Sequence, residues 1–286
     1  MRKTLFVAVM LALLGSVASA EVSYRIGEVD GGGVIIMGII DHSDPVGIAW
    51  QPLGQIPADW ILNPSGATRG DGWPSVARDP NTGYESVTWA YNAGSDFDIA
   101  YSEWDGTQWA PVEFLTASTA KELDPRVRVA SDGTVAVAWW EDGVVDTVFL
   151  RTRLAGSPIW SSPVQVSQPG VPARRPSIVD HEGTIRIVYE QDAIIGQDVV
   201  VTTVTEEGYT RETVHTTART EPLDAILHTR GSHLWLDWKE SSDALGRAAW
   251  EADSWVVQPS EPWLDESWIG IEQARRSVRS KVLGVQ

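Results

Sequence analysis

The chain contains 286 residues, of which 22 are basic and 39 acidic, so its formal net charge is −17, and it has no cysteine. Without cysteine there is no disulfide framework, and a chain of this length can bury an ordinary hydrophobic core. The acidic surplus argues against binding to nucleic acid or to an anionic membrane surface, because both require basic patches.

The first twenty residues have the pattern of a secretory signal peptide. Arg2 and Lys3 give a charged start, Leu5 to Leu14 form an apolar run, and Ala18 to Ala20 supply small residues for a signal peptidase. The apolar run is short for a membrane span, which argues against an uncleaved anchor. We therefore predict cleavage after Ala20, export to the periplasm or the cell exterior, and no transmembrane segment in the mature chain.

A repeat of about fifty residues runs along the remaining sequence. Gly83, Gly133 and Gly183 are 50 residues apart, and an aromatic residue follows each of them by six positions. Within each unit, turns rich in Gly, Asp, Asn and Pro separate four short apolar runs, a pattern typical of four strands. The turn at residues 131–134, Ser-Asp-Gly-Thr, indicates a hairpin between strands one and two. The predicted units span residues 21–66, 67–118, 119–168, 169–218 and 219–263.

Four-stranded units at this period predict an all-β fold, a five-bladed β-propeller. A six-bladed ring is the alternative, because residues 264–286 belong to none of the five units. In that last segment Ile271, Ala274, Val278 and Val282 have helical spacing, so it is predicted to form a short helix or a segment that closes the ring.

Two aromatic markers recur in the repeat. The first follows the turn between strands one and two, at Trp89, Trp139, Tyr189 and Trp238. The second lies near the end of each unit, at Trp60, Trp109, Trp160, Tyr209 and Trp255. Recurrence at one structural place favours a core role between blades. The alternative is a multivalent lectin, in which each groove between blades offers one aromatic ring to a sugar.

The segment Ser102–Trp109, SEWDGTQW, resembles the Asp-box of sialidase-type β-propellers, Ser-x-Asp-x-Gly-x-x-Trp, which occupies a turn between strands three and four. Here Asp105 adjoins Gly106 instead of preceding it by two residues. Tyr24-Arg25-Ile26 also resembles the segment that carries the first arginine of the sialidase triad, with Gly27 in place of Pro; the other triad members have no assigned position. The resemblance implies the propeller fold and, as one possibility, sialidase-like hydrolysis of extracellular glycans.

The candidate site is the mouth of the central channel. In a propeller the first strand lines the channel and strand two returns to the same end, so strand-one starts and strand-two ends meet there. The candidate ligand-binding residues are Trp73, Asp124, Arg126, Glu141, Arg175, Glu190, Glu221 and Glu240. Carboxylates in one mouth can hold a cation or act as acid and base, or they can form a solvated, inert rim.

No catalytic residue, metal ligand or cofactor is predicted. The sequence lacks a nucleophile elbow, a phosphate loop and a dinucleotide fingerprint. Asp96, Asp98 and Asp105 lie close together but lack the Gly and the terminal Glu of a calcium loop, so calcium there is only an alternative.

Together these features predict a secreted, non-catalytic, monomeric propeller that binds a glycan or a protein at the channel mouth. The alternative is a sialidase-like glycoside hydrolase. Three arginines that converge beside a carboxylate pair would favour the enzyme, whereas separate ion pairs for Arg25, Arg126 and Arg175 would favour the binding protein.

Overall fold

The computed structural model describes residues 22–29, 33–41, 48–49, 61–62, 72–205, 207–230, 232–241 and 244–262. Every regular element in these ranges is a β-strand and no helix occurs among them, which confirms the all-β prediction. The predicted signal peptide, the side chain of Arg25, the marker Trp60 and the predicted C-terminal segment 264–286 lie outside this described part. Within the described residues no helix is long and apolar enough to cross a membrane.

The described residues form twenty strands. The first four are β1 (Val22–Val29), β2 (Gly33–Asp41), β3 (Ile48–Ala49) and β4 (Ile61–Leu62). The next are β5 (Gly72–Arg78), β6 (Glu85–Asn92), β7 (Phe97–Glu103) and β8 (Glu113–Phe114). They are followed by β9 (Lys121–Val129), β10 (Val135–Asp142), β11 (Thr147–Arg153) and β12 (Val164–Gln165). Then come β13 (Ala173–His181), β14 (Thr184–Asp192), β15 (Gln197–Thr205) and β16 (Gly208–Thr217). The last are β17 (Ile226–Arg230), β18 (His233–Lys239), β19 (Ala244–Glu251) and β20 (Ser254–Pro262).

Each group of four consecutive strands is an antiparallel meander, and we call these meanders blades 1 to 5 in chain order. A single parallel pairing between Phe97 and Lys121 joins blade 2 to blade 3. The first strands of successive blades pack side by side, in the order β1, β5, β9, β13 and β17. This arrangement is the one expected for blades around a central channel; the number of blades that close the ring stays a prediction.

The hydrophobic core lies between adjacent blades. In blades 3 and 4, for example, Ala138 and Leu150 pack in one cluster with Ile187 and Tyr189. The first aromatic marker fills these layers, because Trp89, Trp139, Tyr189 and Trp238 are all 2% exposed or less. This confirms the core role that their recurrence predicts. Strand alternation explains it, since every second residue of strand two faces the preceding blade.

The second aromatic marker also has a packing role. Trp109, Trp160 and Trp255 are partly buried, and each makes an edge-to-face contact with another aromatic ring. The ring centroids of Tyr101 and Trp160 are 5.0 Å apart, for example. Such aromatic pairs contribute about 0.5–1.5 kcal/mol beyond their buried area. These indoles therefore pack against the outer strands and are not available to stack on a sugar ring.

Hydrogen bonds also link the hairpins between strands one and two, at what we call the turn end of the molecule. The side-chain amide of Asn81 donates to the Ser131 carbonyl at 3.1 Å, and the Ser131 N–H donates to Asp180 Oδ2 at 3.1 Å. His181 Nε2 lies 2.9 Å from the Ser232 carbonyl oxygen. These contacts connect blades 2 to 5 in series, so the opposite end, where the first strands begin, is the mouth.

Candidate ligand-binding site at the channel mouth

The mouth is built on a backbone irregularity that recurs in blades 2 to 5. One residue in or just before the first strand of each of these blades has a positive φ value. These residues are Trp73, Asp124, Arg175 and Asp224, with φ values of 50°, 55°, 57° and 51°. The strand pairing shifts register at the first three of these positions. A left-handed non-glycine residue costs about 1–3 kcal/mol, and such bulges re-aim side chains next to functional sites. Three of the predicted site residues therefore occupy equivalent, strained positions on one rim.

The structure pairs the predicted charged residues within their own blades. Arg126 Nη2 lies 3.0 Å from Asp124 Oδ1, and both side chains are almost fully buried. Arg175 Nη1 donates to Glu190 Oε2 at 2.9 Å. The other oxygen of Glu190 accepts the Asp224 N–H at 2.7 Å, so this carboxylate also ties blade 4 to blade 5.

Glu221 and Glu240 lie apart from these pairs. Glu221 is in the exposed linker before β17, where it accepts a hydrogen bond from Arg219 at 2.8 Å. The strand begins only at Ile226, later than the sequence pattern indicates. Glu240 directly follows β18 and accepts the Trp238 indole N–H at 2.6 Å, and it lies 3.1 Å from His215 Nε2.

Glu141 and Glu190 face opposite sides of their blades, although sequence analysis treats them as equivalent. Glu141 lies two residues after the marker Trp139, whereas Glu190 directly follows the marker Tyr189. Because successive side chains on a strand point to opposite faces, Glu190 is directed toward blade 5 and Glu141 toward blade 2. Only Glu141 therefore joins the acidic group described next.

Glu122 and Asp98 form the acidic centre of the mouth, and the candidate set above contains neither. Glu122 is 1% exposed, and its Oε1 accepts the Ser118 hydroxyl at 2.5 Å. Its Oε2 is buried without a hydrogen-bond partner among the described residues. Glu141 is the register partner of Glu122 on the neighbouring strand, so the two carboxyls lie on the same face.

Burial raises the pKa of Glu122 to about 7, and the nearby Asp98 and Glu141 carboxylates add to this effect. Burial and the neighbouring Asp96 also raise the pKa of Asp98. Glu122 is therefore a carboxyl group that holds its proton close to neutral pH, next to the Asp98 and Glu141 carboxyl groups. Spacing along the chain does not reveal this, since Asp98 belongs to blade 2 and Glu122 to blade 3.

We expect the stability of the protein to fall as pH rises from about 4.5 to about 7 through the contribution of Glu122. The raised pKa means that the folded state binds more protons than the unfolded state in this range, and stability decreases with pH wherever that holds. Urea unfolding at a series of pH values measures the slope. Glu122→Gln should flatten it, and an unchanged slope in this variant would contradict the assignment.

The aromatic part of the mouth lies next to this acidic centre. Trp73 is partly exposed, and its ring makes an edge contact with Phe97 at 5.6 Å between centroids. The backbone of Phe97 pairs with Lys121, directly before Glu122. An indole and three carboxyl groups thus border the same region of blades 2 and 3.

The described arginines of the mouth do not converge. Arg126 and Arg175 are in the separate pairs given above. Arg174 is 3.0 Å from Asp146 and 3.6 Å from Asp192. Their charges are neutralised locally, and this geometry differs from a cluster that grips one carboxylate. Within the described part of the chain, no group of three or more His, Asp or Glu side chains has the geometry to hold a metal ion.

The segment Ser102–Trp109 lies away from the mouth, in the turn between β7 and β8. Asp105 accepts the Thr107 N–H and hydroxyl at 2.7 Å each and the Gln108 N–H at 2.8 Å. These hydrogen bonds lower the pKa of Asp105. The carboxylate is therefore engaged in closing its own turn at the turn end.

Comparisons with known proteins support the fold. No protein-family model matches the sequence, and no curated protein matches it closely. Among solved structures, a Hadza microbial sialidase is 13% identical with a TM-score of 0.54, and the match covers 79% of this chain and 53% of that one. The α-L-arabinanase of Penicillium chrysogenum in complex with arabinobiose is 13% identical with a TM-score of 0.53, covering 73% and 69%. The intramolecular trans-sialidase of Ruminococcus gnavus is 7% identical with a TM-score of 0.53, covering 69% and 71%. The chain thus shares the fold of sialidase-like propellers and spans about half of the first of these proteins.

Proposed function

We propose that the protein is an exported propeller that binds neutral glycan chains at the mouth between blades 2 and 3. The observation that carries this proposal is that the partly exposed Trp73 ring packs on Phe97, whose backbone pairs with the residue before Glu122, and that Glu122 interacts with the Asp98 and Glu141 carboxyl groups. A ring face suits the apolar face of a sugar, and carboxyl oxygens accept its hydroxyl hydrogens. The shared fold with two sialidases and an arabinanase supports a saccharide as the ligand. The signal-peptide pattern of residues 1–20 supports export.

The charges of the mouth favour a neutral over an anionic sugar. Besides burial, the Asp98 and Glu141 carboxylates raise the pKa of Glu122, and Asp96 adds to the effect of burial on the pKa of Asp98, which indicates a negative local potential on the blade 2 side. Arg126 and Arg175 already have carboxylate partners, so a sialic acid carboxylate would have to displace them. Arabinobiose and similar neutral oligosaccharides meet no such repulsion.

Trp73→Ala should weaken the binding of neutral oligosaccharides about tenfold, because a central aromatic contact is worth somewhat more than 1 kcal/mol. Isothermal titration calorimetry with arabino-oligosaccharides and with sialyllactose measures the affinity and the selectivity. Tyr209→Ala is the matched control, because Tyr209 is a partly exposed aromatic residue at the turn end of blade 4. Equal binding by wild type and Trp73→Ala, or a preference for sialyllactose, would contradict the proposal.

Hydrolysis of the glycan is a second candidate function, favoured by the pairing of Glu122 with Glu141 on neighbouring strands and by the raised pKa of Glu122. Glycosidases that use two carboxyl groups need one that keeps its proton near neutral pH and one that is ionised. In this scheme Glu122 would give its proton to the glycosidic oxygen as the bond to the anomeric carbon breaks, and water would supply the hydroxyl group. A neighbouring carboxylate, Asp98 or Glu141, would accept the proton that this water loses.

Release of reducing sugar from arabino-oligosaccharides tests this second function. Glu122→Gln should abolish the release while oligosaccharide binding persists, and the rate in the wild type should fall above pH 7. Binding without any release in the wild type would leave the non-catalytic function and exclude hydrolysis of these substrates.

A further inference from the structure

A groove of about 800 Å³ opens at the turn end, between blades 2 and 3, on the opposite end of the molecule from the mouth. Its lining includes the hairpin that begins at Asp79, the Trp104 turn, and the segment from Arg153 to Pro158. Grooves of this volume accommodate small ligands when a few polar groups converge in them.

The floor of the groove is a polar network in which Arg153, Tyr101 and Ser86 are buried and Glu103 is partly exposed. Arg153 is 8% exposed and donates to the Tyr101 hydroxyl at 3.2 Å and to the Glu103 carboxylate. The Tyr101 hydroxyl donates in turn to Glu103 at 3.0 Å and lies 3.0 Å from the Ser86 hydroxyl. Burial raises the pKa of Tyr101, so its phenol stays protonated and keeps this donor role.

The repeat shows that the fold itself does not need this network. Tyr101 is the register partner of Thr88, and the equivalent partners in blades 3 and 4 are Leu150 and Val201. Two residues farther along each strand, Glu103 corresponds to Thr152 and Thr203. Where blades 3 and 4 use apolar and small hydroxyl side chains, blade 2 places a phenol and a carboxylate. A departure from local consistency at one junction is typical of functional sites.

The walls of the groove are aromatic. Tyr84 is 42% exposed, and Trp104 is partly exposed. The position of Tyr84 depends on Gly106, because a Cβ atom on this glycine would lie 2.5 Å from the tyrosine hydroxyl oxygen. The Gly of the SEWDGTQW turn thus lets the ring lie against the turn at the edge of the groove.

Hydrogen-bond acceptors outnumber donors in the groove. The Arg153 guanidinium is engaged with Tyr101 and Glu103 and lies 3.7 Å from Glu113. Glu85 also lines the groove, and burial raises its pKa. A complementary ligand must donate several hydrogen bonds, carry no negative charge and offer an apolar face to the rings.

We propose that this groove is a second saccharide-binding site, selective for neutral sugars, with Tyr84 and Trp104 as the stacking faces and Glu85 and Glu113 as hydroxyl acceptors. The site is separate from the mouth, so either can be tested without the other. Two sites at opposite ends would let one molecule bridge two glycan chains, and the avidity for a polymer would then exceed the affinity for its fragments.

Indole resonances distinguish the two sites in a single titration. The full chain, labelled with ¹⁵N-tryptophan, is titrated with arabinotriose, cellotriose and maltotriose, and the Trp104 and Trp73 signals are assigned from single substitutions. The expected result is a saturable shift of Trp104 with at least one trisaccharide. If the Trp73 signal alone does not shift, the result contradicts ligand binding at the mouth. If the Trp104 signal alone does not shift, the result overturns the groove proposal.

Tyr84→Ala should weaken the Trp104-reported affinity about fivefold, since a stacked ring contributes roughly this factor. Gly106→Ala should weaken it as well by displacing Tyr84. Gly170→Ala is the matched control, because Gly170 also has a positive φ, of 77°, but nothing lies within 4 Å of an added Cβ. Wild-type affinity in both Tyr84→Ala and Gly106→Ala would overturn the proposal. A Trp104 shift that occurs with spermidine but with none of the sugars would also overturn it.

Discussion

Gly246→Ala should lower the free energy of unfolding by about 3 kcal/mol, at the upper end of the usual cost of overpacking a core. A Cβ atom on Gly246 would lie 2.2 Å from atoms of the Trp238 indole. Trp238 is 1% exposed, donates its N–H to Glu240 at 2.6 Å and stacks on His215 at 4.7 Å. The ring therefore has no free space into which to move. Urea denaturation of the wild type and the variant measures the difference.

Gly72→Ala is the matched control for this prediction. Gly72 also lies in a strand, but nothing is found within 4 Å of a Cβ atom added there. Its effect on stability should stay within about 0.5 kcal/mol, as for most substitutions away from special features. Similar losses in the two variants would contradict the role of the indole, because the change in backbone entropy on Gly→Ala by itself favours the folded state.

Asp237→Ala should destabilise the protein by about 3–5 kcal/mol, the usual result of removing one partner of a buried ion pair. Asp237 is fully buried in blade 5 and accepts two hydrogen bonds from Arg247, at 2.7 and 3.0 Å. Its Oδ2 is also 3.2 Å from His228 Nε2. The substitution leaves the Arg247 charge without this compensation. Asp198→Ala is a suitable control, because Asp198 is less buried and its carboxylate accepts a hydrogen bond from Thr216 at 2.7 Å.

The same aspartate contributes to acid unfolding. Burial alone would raise its pKa, but the hydrogen bonds from His228 and Arg247 outweigh burial and lower it below the ordinary value of 3.8. The resulting stabilisation is complete above the unfolded-state pKa and is lost as pH falls through the lower, folded-state pKa. Between neutral and strongly acidic pH, the free energy of unfolding should therefore decrease less in Asp237→Ala than in the wild type. Equal pH dependence would contradict the lowered pKa.

Asp237 and Glu122 thus act in opposite directions. The first stabilises the fold as pH rises through the acid range, and the second weakens it as pH rises toward neutrality. The combined contribution of these two groups to stability is expected to be greatest between these ranges, at mildly acidic pH.

The all-β class and the core aromatics follow from the sequence because they depend on local, repeated patterns. Alternation along a strand and glycine-rich turns require only short-range contacts, and Trp89, Trp139, Tyr189 and Trp238 recur because each blade packs on the preceding one in the same way. The bulged positions of Trp73, Asp124 and Arg175 could also be located on the rim, since they stand at equivalent points of the repeat.

Tertiary structure alone decided which of these residues act together. The partnership of Asp98 with Glu122 joins two blades, and the raised pKa of Glu122 arises from its burial and from carboxylates on two other strands. Glu190 lies one residue after its aromatic marker and Glu141 two residues after its own, so Glu190 faces blade 5 and Glu141 faces blade 2. The Tyr101–Glu103–Arg153 network likewise depends on two side chains of blade 2 meeting one of blade 3. Local periodicity specifies the blades. The burial and the pKa of a side chain, in contrast, depend on neighbours about fifty residues away in the sequence, and the repeat pattern does not predict which side chains these are.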